Sequence, residues 1–258
     1  MADKFFWYEL MTKDPEAAQA FYGHVVDWSF APMEGGDQPY TIISAGERPV
    51  GGVFTLNDEM CEGGARPGWL GYIHVADVDA KAAEVVAAGG SVQLSPFDVP
   101  DVGRIAMVTD PGAAAFYLMA PKPAEGQGDL PPIAPTMAGA FSWHELYAGQ
   151  GQAAAFDFYS KLFGWESMME MDMGPMGIYR LFGADSVQLG GMMDKPAQLL
   201  CSAWGFYTTV DGIDAAVARL TDKGGQVLMG PHEVPGGSWI VQCLDPEGAA
   251  FALTSATR

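Results

Sequence analysis

Residues 5–28 read FFWYELMTKDPEAAQAFYGHVVDW, and residues 141–165 read FSWHELYAGQGQAAAFDFYSKLFGW. Each begins with an alternating aromatic run, passes through an alanine-rich stretch and ends on a tryptophan. The likeness continues outward. WLGYIHVADVDA, from Trp69, matches WGFYTTVDGIDA, from Trp204, and VTDPGAAAFYL, from Val108, matches CLDPEGAAFAL, from Cys243. The offset stays between 135 and 137 residues across these stretches of the 258-residue chain, so one domain is written twice. A repeat of this kind outranks local propensity in deciding a fold. The stretch between the copies, PKPAEGQGDLPPIAPTMAG, is rich in proline and glycine and reads as a linker. The expected boundaries are 1–122 for the first domain, 123–136 for the linker and 137–258 for the second.

Each copy is itself two units of one grammar. FFWYELMT alternates and is aromatic, which predicts a strand. Asp14, Pro15 and Glu16 then supply a helix N-cap, a proline at the first helical position and an early acid. Ala17, Phe21 and Val25 recur at helical spacing. The strands YTIIS and PVGGVFTL follow. WLGYIHV opens the second unit as a strand, Asp77 caps the helix DAKAAEVVAA, and Gly89 and Gly90 stop it. SVQLSPFDV, GRIAMVTD and AAFYLMA are strands, with a tight turn at the DPG. Strand, helix, three strands occurs four times, and the fold class is α+β.

Composition excludes several function classes. The chain is 49% hydrophobic and 17% charged, ample for a packed core. No apolar run is long enough to span a bilayer. MADKFFWYEL lacks the basic start and apolar stretch of a signal peptide, so the expected location is the cytoplasm. With 32 acidic and 13 basic residues the net charge is -19, which repels nucleic acid and anionic lipid. Cys61, Cys201 and Cys243 form no CxxC pair and read as reduced, structural thiols.

The paired β-α-β-β-β units, the FYGHVVDW and FYSKLFGW helix ends and the two DP turns before a final strand resemble the vicinal oxygen chelate superfamily. That superfamily holds glyoxalase I, the bleomycin-resistance proteins and the extradiol dioxygenases. The W-x-E-L openings resemble a tandem two-domain, glyoxalase-like subgroup. The resemblance covers nearly the whole chain outside the linker. It implies that each domain is an eight-stranded cupped sheet, a half-open barrel with helices outside. It implies a divalent metal in the cup of metal-dependent members. Carried over, the ligand positions fall on Trp7, Leu70 and Tyr117 in the first copy and on Trp143, Gly205 and Ala252 in the second. None of these is an ordinary ligand for a hard divalent ion. The expectation is therefore a site without the metal triad and no cofactor, with a divalent metal kept for the alternative.

Strand alternation puts Trp7 and Glu9 on one face, and likewise Trp143 and Glu145. Glu9 there is a proton-transfer group or anchor, or else a carboxylate satisfied by backbone N–H groups or an arginine. Tyr72 and His74 share a face, with Tyr207 and Thr209 as their counterparts; His74 also fits a hydrogen-bonded core histidine. His144 has the opposite parity and points away. Seven methionines between residues 168 and 193 form either a flap or a soft core edge.

The expected function is a glyoxalase-like protein that binds a small organic molecule in an aromatic cup. Glu9 and His74 are the catalytic candidates. Trp7, Tyr72, Tyr117, Trp143, Glu145 and Tyr207 are the ligand-binding candidates. The alternatives are a metal-dependent lyase or dioxygenase with displaced ligands, and a non-catalytic protein that sequesters a drug or metabolite. The first copy, with Arg104 where the second has Trp239, is expected to hold any chemistry. The partner is a small molecule. The chain is expected as a monomer with an internal pseudo-dimer, or as a homodimer.

Overall fold

The structure is a computed structural model that describes residues 3–33, 39–122 and 133–258. The first half runs β1 (Phe5–Thr12), α1 (Pro15–Val26), β2 (Trp28–Pro32), β3 (Tyr40–Ala45), β4 (Arg48–Thr55), the single turn α2 (Asp58–Glu62), β5 (Gly68–His74), α3 (Val78–Ala87), β6 (Ser91–Val99), β7 (Gly103–Thr109) and β8 (Ala115–Pro121). The second half runs β9 (Phe141–Ala148), α4 (Gln152–Phe163), β10 (Glu166–Asp172), β11 (Ile178–Ala184), β12 (Val187–Asp194), β13 (Ala203–Thr209), α5 (Ile213–Asp222), β14 (Gln226–Glu233), β15 (Trp239–Leu244) and β16 (Ala250–Ser255). Each half forms one mixed eight-stranded sheet. The orders are β2-β3-β4-β1-β5-β8-β7-β6 and β10-β11-β12-β9-β13-β16-β15-β14. Neither sheet closes into a barrel, and the architecture is α+β with the unit repeated four times.

Local chemistry explains the elements. The Asp14 side chain accepts the Ala17 N–H at 3.0 Å and the Asp77 side chain accepts that of Ala80 at 3.0 Å, each satisfying a donor the first helical turn leaves open. Asp27, at φ 66°, and Gly164, at φ 70°, end α1 and α4 in the left-handed region. Trp28 does not end the helix as expected; it opens β2, an additional strand at the sheet edge. Most of the expected linker, residues 123–132, lies outside the described residues. No helix among the described residues is long and apolar enough to cross a membrane.

Packing groups the chain into two compact units that do not follow the halves. One holds the described residues 3–6, 70–122 and 143–205; the other holds 7–33, 39–69, 133–142 and 206–258. Each unit is held by a relay between the two copies. In the second unit Trp69 Nε1 donates to Tyr22 Oη at 2.9 Å, and Tyr22 donates to Asp245 Oδ2 at 3.1 Å. Asp245 Oδ1 accepts the Glu247 and Ala249 N–H groups at 2.9 and 2.8 Å. In the first unit Trp204 donates to Tyr159 at 2.9 Å, and Tyr159 to Asp110 at 3.3 Å. Gln150 adds a donor to Asp110 at 3.1 Å. The FY helix ends and the DP turns of opposite copies are thus joined in one hydrogen-bonded chain. Burial pushes the Asp110 and Asp245 carboxyls up from the ordinary range, and pushes the Tyr22 and Tyr159 phenols well above theirs.

Candidate aromatic carboxylate faces

The face of β9–β12 that carries Trp143 and Glu145 follows from strand alternation. His144 and Leu146 turn to the other side and are buried. On β11, Arg180 lies over the Phe156 ring of α4 at 4.8 Å, so its neighbours Tyr179 and Leu181 point away from the helix. Gly191 pairs with Glu145 and Met193 with Tyr147 across β12 and β9. Met171 pairs with Tyr179 and Met169 with Leu181 across β10 and β11. One face therefore gathers two tyrosines, a tryptophan, three methionines and a carboxylate.

The polar groups on that face form a chain. Trp143 Nε1 donates to Tyr179 Oη at 3.0 Å, and Tyr179 donates to Glu145 Oε1 at 2.9 Å. Tyr147 Oη donates to Glu145 Oε2. Glu145 is only 6% exposed, and both its oxygens accept a phenol proton. Burial, and then the Glu145 charge, push the Tyr179 phenol far up, so it stays a donor. Gly191 makes the arrangement possible, since a Cβ there would lie 2.1 Å from the Tyr179 ring.

The first copy builds a matching face on β1, β3 and β4. Trp7 Nε1 donates to Tyr40 Oη at 3.0 Å, and Tyr40 lies over Gly52, whose Cβ would be 2.1 Å from the phenol oxygen. Glu9 is 4% exposed. Met11 stands where the second copy has Tyr147.

The other expected residues are placed separately. Tyr72 and Tyr117 are buried and stacked, ring centroids 4.3 Å apart and planes 11° apart, so each covers a face of the other. His74 is exposed at the end of β5, edge-on to Phe6 at 6.0 Å. Glu9 and His74 belong to different compact units. Tyr207 is buried, and its hydroxyl accepts from Gln242 Nε2 at 2.8 Å. His144 is buried against Phe5, with Nδ1 2.6 Å from the Leu189 carbonyl, in keeping with its opposite parity. Arg104 is not a cup residue: it pairs with Asp79 on α3 and with Asp98, because its side chain turns to the helix side of β7. Its counterpart Trp239 lies under Arg258, which pairs with Asp214 on α5. Of the seven methionines, Met168, Met169, Met171, Met192 and Met193 sit in strands, while Met173 and Met176 lie exposed in the connection between β10 and β11.

Tyr40, Tyr147 and Tyr179 were missed by sequence reasoning. Tyr147 was within reach, two residues beyond Glu145 on the same strand face. Tyr40 and Tyr179 were not, because they are 139 residues apart while the stretches that reveal the repeat run at 135 to 137.

The donor set does not fit a divalent ion. The ligand positions implied by resemblance hold indole, isobutyl, a stacked phenol, glycine and alanine. Both Glu145 oxygens already accept phenol protons. Among the described residues no three of His, Cys, Asp or Glu come together as a metal set.

The sequence profile of the Glyoxalase/Bleomycin resistance protein/Dioxygenase superfamily matches residues 4–116 and 144–253, once in each copy. The chain is 31% identical over 250 residues to "Putative glyoxylase CFP32" of Mycobacterium tuberculosis (strain CDC 1551 / Oshkosh), covering 96% of this chain and 92% of that protein. It is 28% identical over 260 residues to "Anthracycline biosynthesis protein DnrV" of Streptomyces peucetius, covering 96% and 91%. Among solved structures, the Mn(II)-bound glyoxalase from Novosphingobium aromaticivorans superposes with a TM-score of 0.66 at 18% identity, over 100% of this chain and 83% of that one. The 2,2',3-trihydroxybiphenyl 1,2-dioxygenase from Sphingomonas wittichii strain RW1 gives 0.68 at 13% identity, over 99% and 91%. At such identities the structures speak for the fold alone. The profile matches, one in each copy, with the tandem sheets they span, make this chain a member of the Glyoxalase/Bleomycin resistance protein/Dioxygenase superfamily.

Proposed function

We propose that this chain binds a flat, hydroxylated aromatic compound against the face that carries Trp143, Glu145, Tyr147 and Tyr179. The observation that carries the reading is the buried Glu145 carboxylate flanked by two phenols on a face otherwise made of methionine and aromatic rings. Apolar surface with one placed polar group is what orients a small ligand. Methionine adapts to the outline of a large ring system. Glu145 would accept a ligand hydroxyl in place of the Tyr147 proton, which fixes orientation and offers a route for proton transfer. The name of the Streptomyces peucetius relative supports the same compound class, since an anthracycline is a fused, hydroxylated ring system. Within this reading the weight moves from Glu9 and His74 to Glu145, because His74 is exposed at the end of β5.

The test is thermal stabilisation by 1,8-dihydroxyanthraquinone and by anthraquinone, with and without Mn²⁺, on the wild type and on Glu145→Gln. The hydroxylated probe should stabilise the wild type more than the bare ring does, without needing the metal. Glu145→Gln should lose that preference. A wild type indifferent to both probes would overturn the reading, and stabilisation that depends on Mn²⁺ would favour a metal-dependent enzyme with displaced ligands.

A further inference from the structure

The glycines packed against the aromatic faces have a steric reason to be glycine. A Cβ at Gly51 would lie 2.2 Å from the Tyr8 carbonyl oxygen, and one at Gly190 2.0 Å from that of His144. At Gly52 and Gly191 it would strike the Tyr40 and Tyr179 rings. Gly205, inside β13, has no such reason. Its backbone lies outside the left-handed region, and a Cβ would meet the Glu145 carbonyl oxygen at 3.7 Å, Tyr147 Cε2 at 3.8 Å and Glu145 Cβ at 4.0 Å. Those are ordinary contact distances. A glycine within a strand gives up backbone entropy and packs nothing. What it leaves here is space directly beside Glu145 and Tyr147, and Gly205 is only half-buried, so that space is reachable. In the first copy the matching residue is Leu70.

Building on the ligand reading above, we infer that Gly205 is the specificity-determining residue of the second copy. Its missing side chain seats the hydroxylated ring of a flat aromatic ligand against Glu145 and Tyr147. The matching position of the first copy carries a leucine, Leu70, so the two copies are not equivalent and the fused aromatic ligand goes to the second.

The experiment titrates 1,8-dihydroxyanthraquinone, followed by its own visible absorption, into the wild type, Gly205→Ala, Gly205→Leu and Leu70→Ala, with circular dichroism on each. One equivalent should bind the wild type. Gly205→Leu should weaken binding roughly tenfold or more, since a filled seat removes much of the ligand's burial. Gly205→Ala should weaken it by a smaller factor, and Leu70→Ala should leave it within about twofold. Gly205→Ala decides the matter if Gly205→Leu misfolds, because its Cβ meets only ordinary contacts. Unchanged affinity in a folded Gly205→Leu, or in Gly205→Ala should Gly205→Leu misfold, overturns this inference alone, as does loss of binding in a folded Leu70→Ala. A wild type that binds no probe overturns the inference and the ligand reading together.

Discussion

His144 stands between Trp143 and Glu145, yet its chemistry is that of the core. One step along β9 turns it to the far side of the sheet, where its ring stacks on Phe5 at 4.8 Å with planes 13° apart. Burial holds its pKa down to about 4, so at neutral pH the imidazole is uncharged and Nδ1–H donates to the Leu189 carbonyl. In the unfolded chain the same group titrates near the ordinary 6.5. The folded value is depressed, so the stability tied to the neutral ring is present above pH 6.5 and is lost as pH falls towards 4. The slope for one proton is about 1.4 kcal/mol per pH unit. His144→Phe keeps a stacking ring and cannot titrate. Its urea midpoint should fall less than that of the wild type between pH 6.5 and 4.5, although it starts lower at pH 7.5 because the Leu189 carbonyl loses a donor. Asp110 and Asp245, whose carboxyls burial pushes up, act with the opposite sign, but they are common to both proteins and cancel in the comparison. Parallel pH curves would remove His144 from the acid sensitivity of the fold.

At the scale of elements, the aspartates of the two DP turns are anchors, and their partners decide what each is worth. Removing a hydroxyl strands a tryptophan N–H in either relay, and in the Asp245 relay a carboxylate oxygen as well, a loss of about 1–3 kcal/mol for buried groups. Asp110 keeps Gln150 as a second side-chain donor after Tyr159→Phe. For Asp245, Tyr22 is the side-chain donor to Oδ2 among the described residues. Tyr22→Phe should therefore cost more than Tyr159→Phe, about 2 against about 1 kcal/mol in urea unfolding; the reverse order would mean the relays do not anchor the turns. These relays were invisible in the sequence, although every member was noticed. FYGHVVDW and VTDPGAAAFYL announce a helix end and a turn by local spacing alone. That the tyrosine of one copy meets the aspartate of the other is a tertiary fact with no local signal. The caps at Asp14 and Asp77 were legible because a cap acts within three residues. The side of β9 that carries Glu145 was legible because alternation is a property of one strand. Tyr179 over Gly191 was not, since it depends on the register of β11 against β12, which the differing loop lengths of the two copies hide.

The whole molecule poses the question of whether the two halves are two domains at all. Hydrogen bonding closes a sheet within each half, but each compact unit draws on both. In one unit Trp28 Nε1 donates to the Gly139 carbonyl at 2.8 Å, and Arg219 donates to the Val25 carbonyl at 2.8 and 3.1 Å. In the other, Trp165 donates to the Asp3 carbonyl at 2.7 Å, and Lys81 to that of Leu162 at 2.7 Å. Rings cross the same boundary: Tyr8 stacks on Phe141 at 3.9 Å, and Phe116 packs on Tyr159 at 5.6 Å. A buried aromatic side chain covers roughly 200 Å², worth about 5 kcal/mol of transfer free energy at ~25 cal/mol per Å². Baring two or three of them, about 10–15 kcal/mol, is comparable to the whole net stability of an ordinary domain, about 5–15 kcal/mol. Residues 1–122 and 137–258, produced as separate chains, should therefore not stand as monomers with the stability of the full chain. Each should associate with itself or melt well below it. Mixed in equal amounts, they should form a heterodimer that recovers the near-ultraviolet circular dichroism of the intact protein, because Tyr22 regains Asp245 and Tyr159 regains Asp110. Light scattering and thermal melts of the two fragments, alone and mixed, decide it. A monomeric 1–122 that melts where the full chain does would mean that each sheet carries its own core, and that the relays between copies only dock two finished domains.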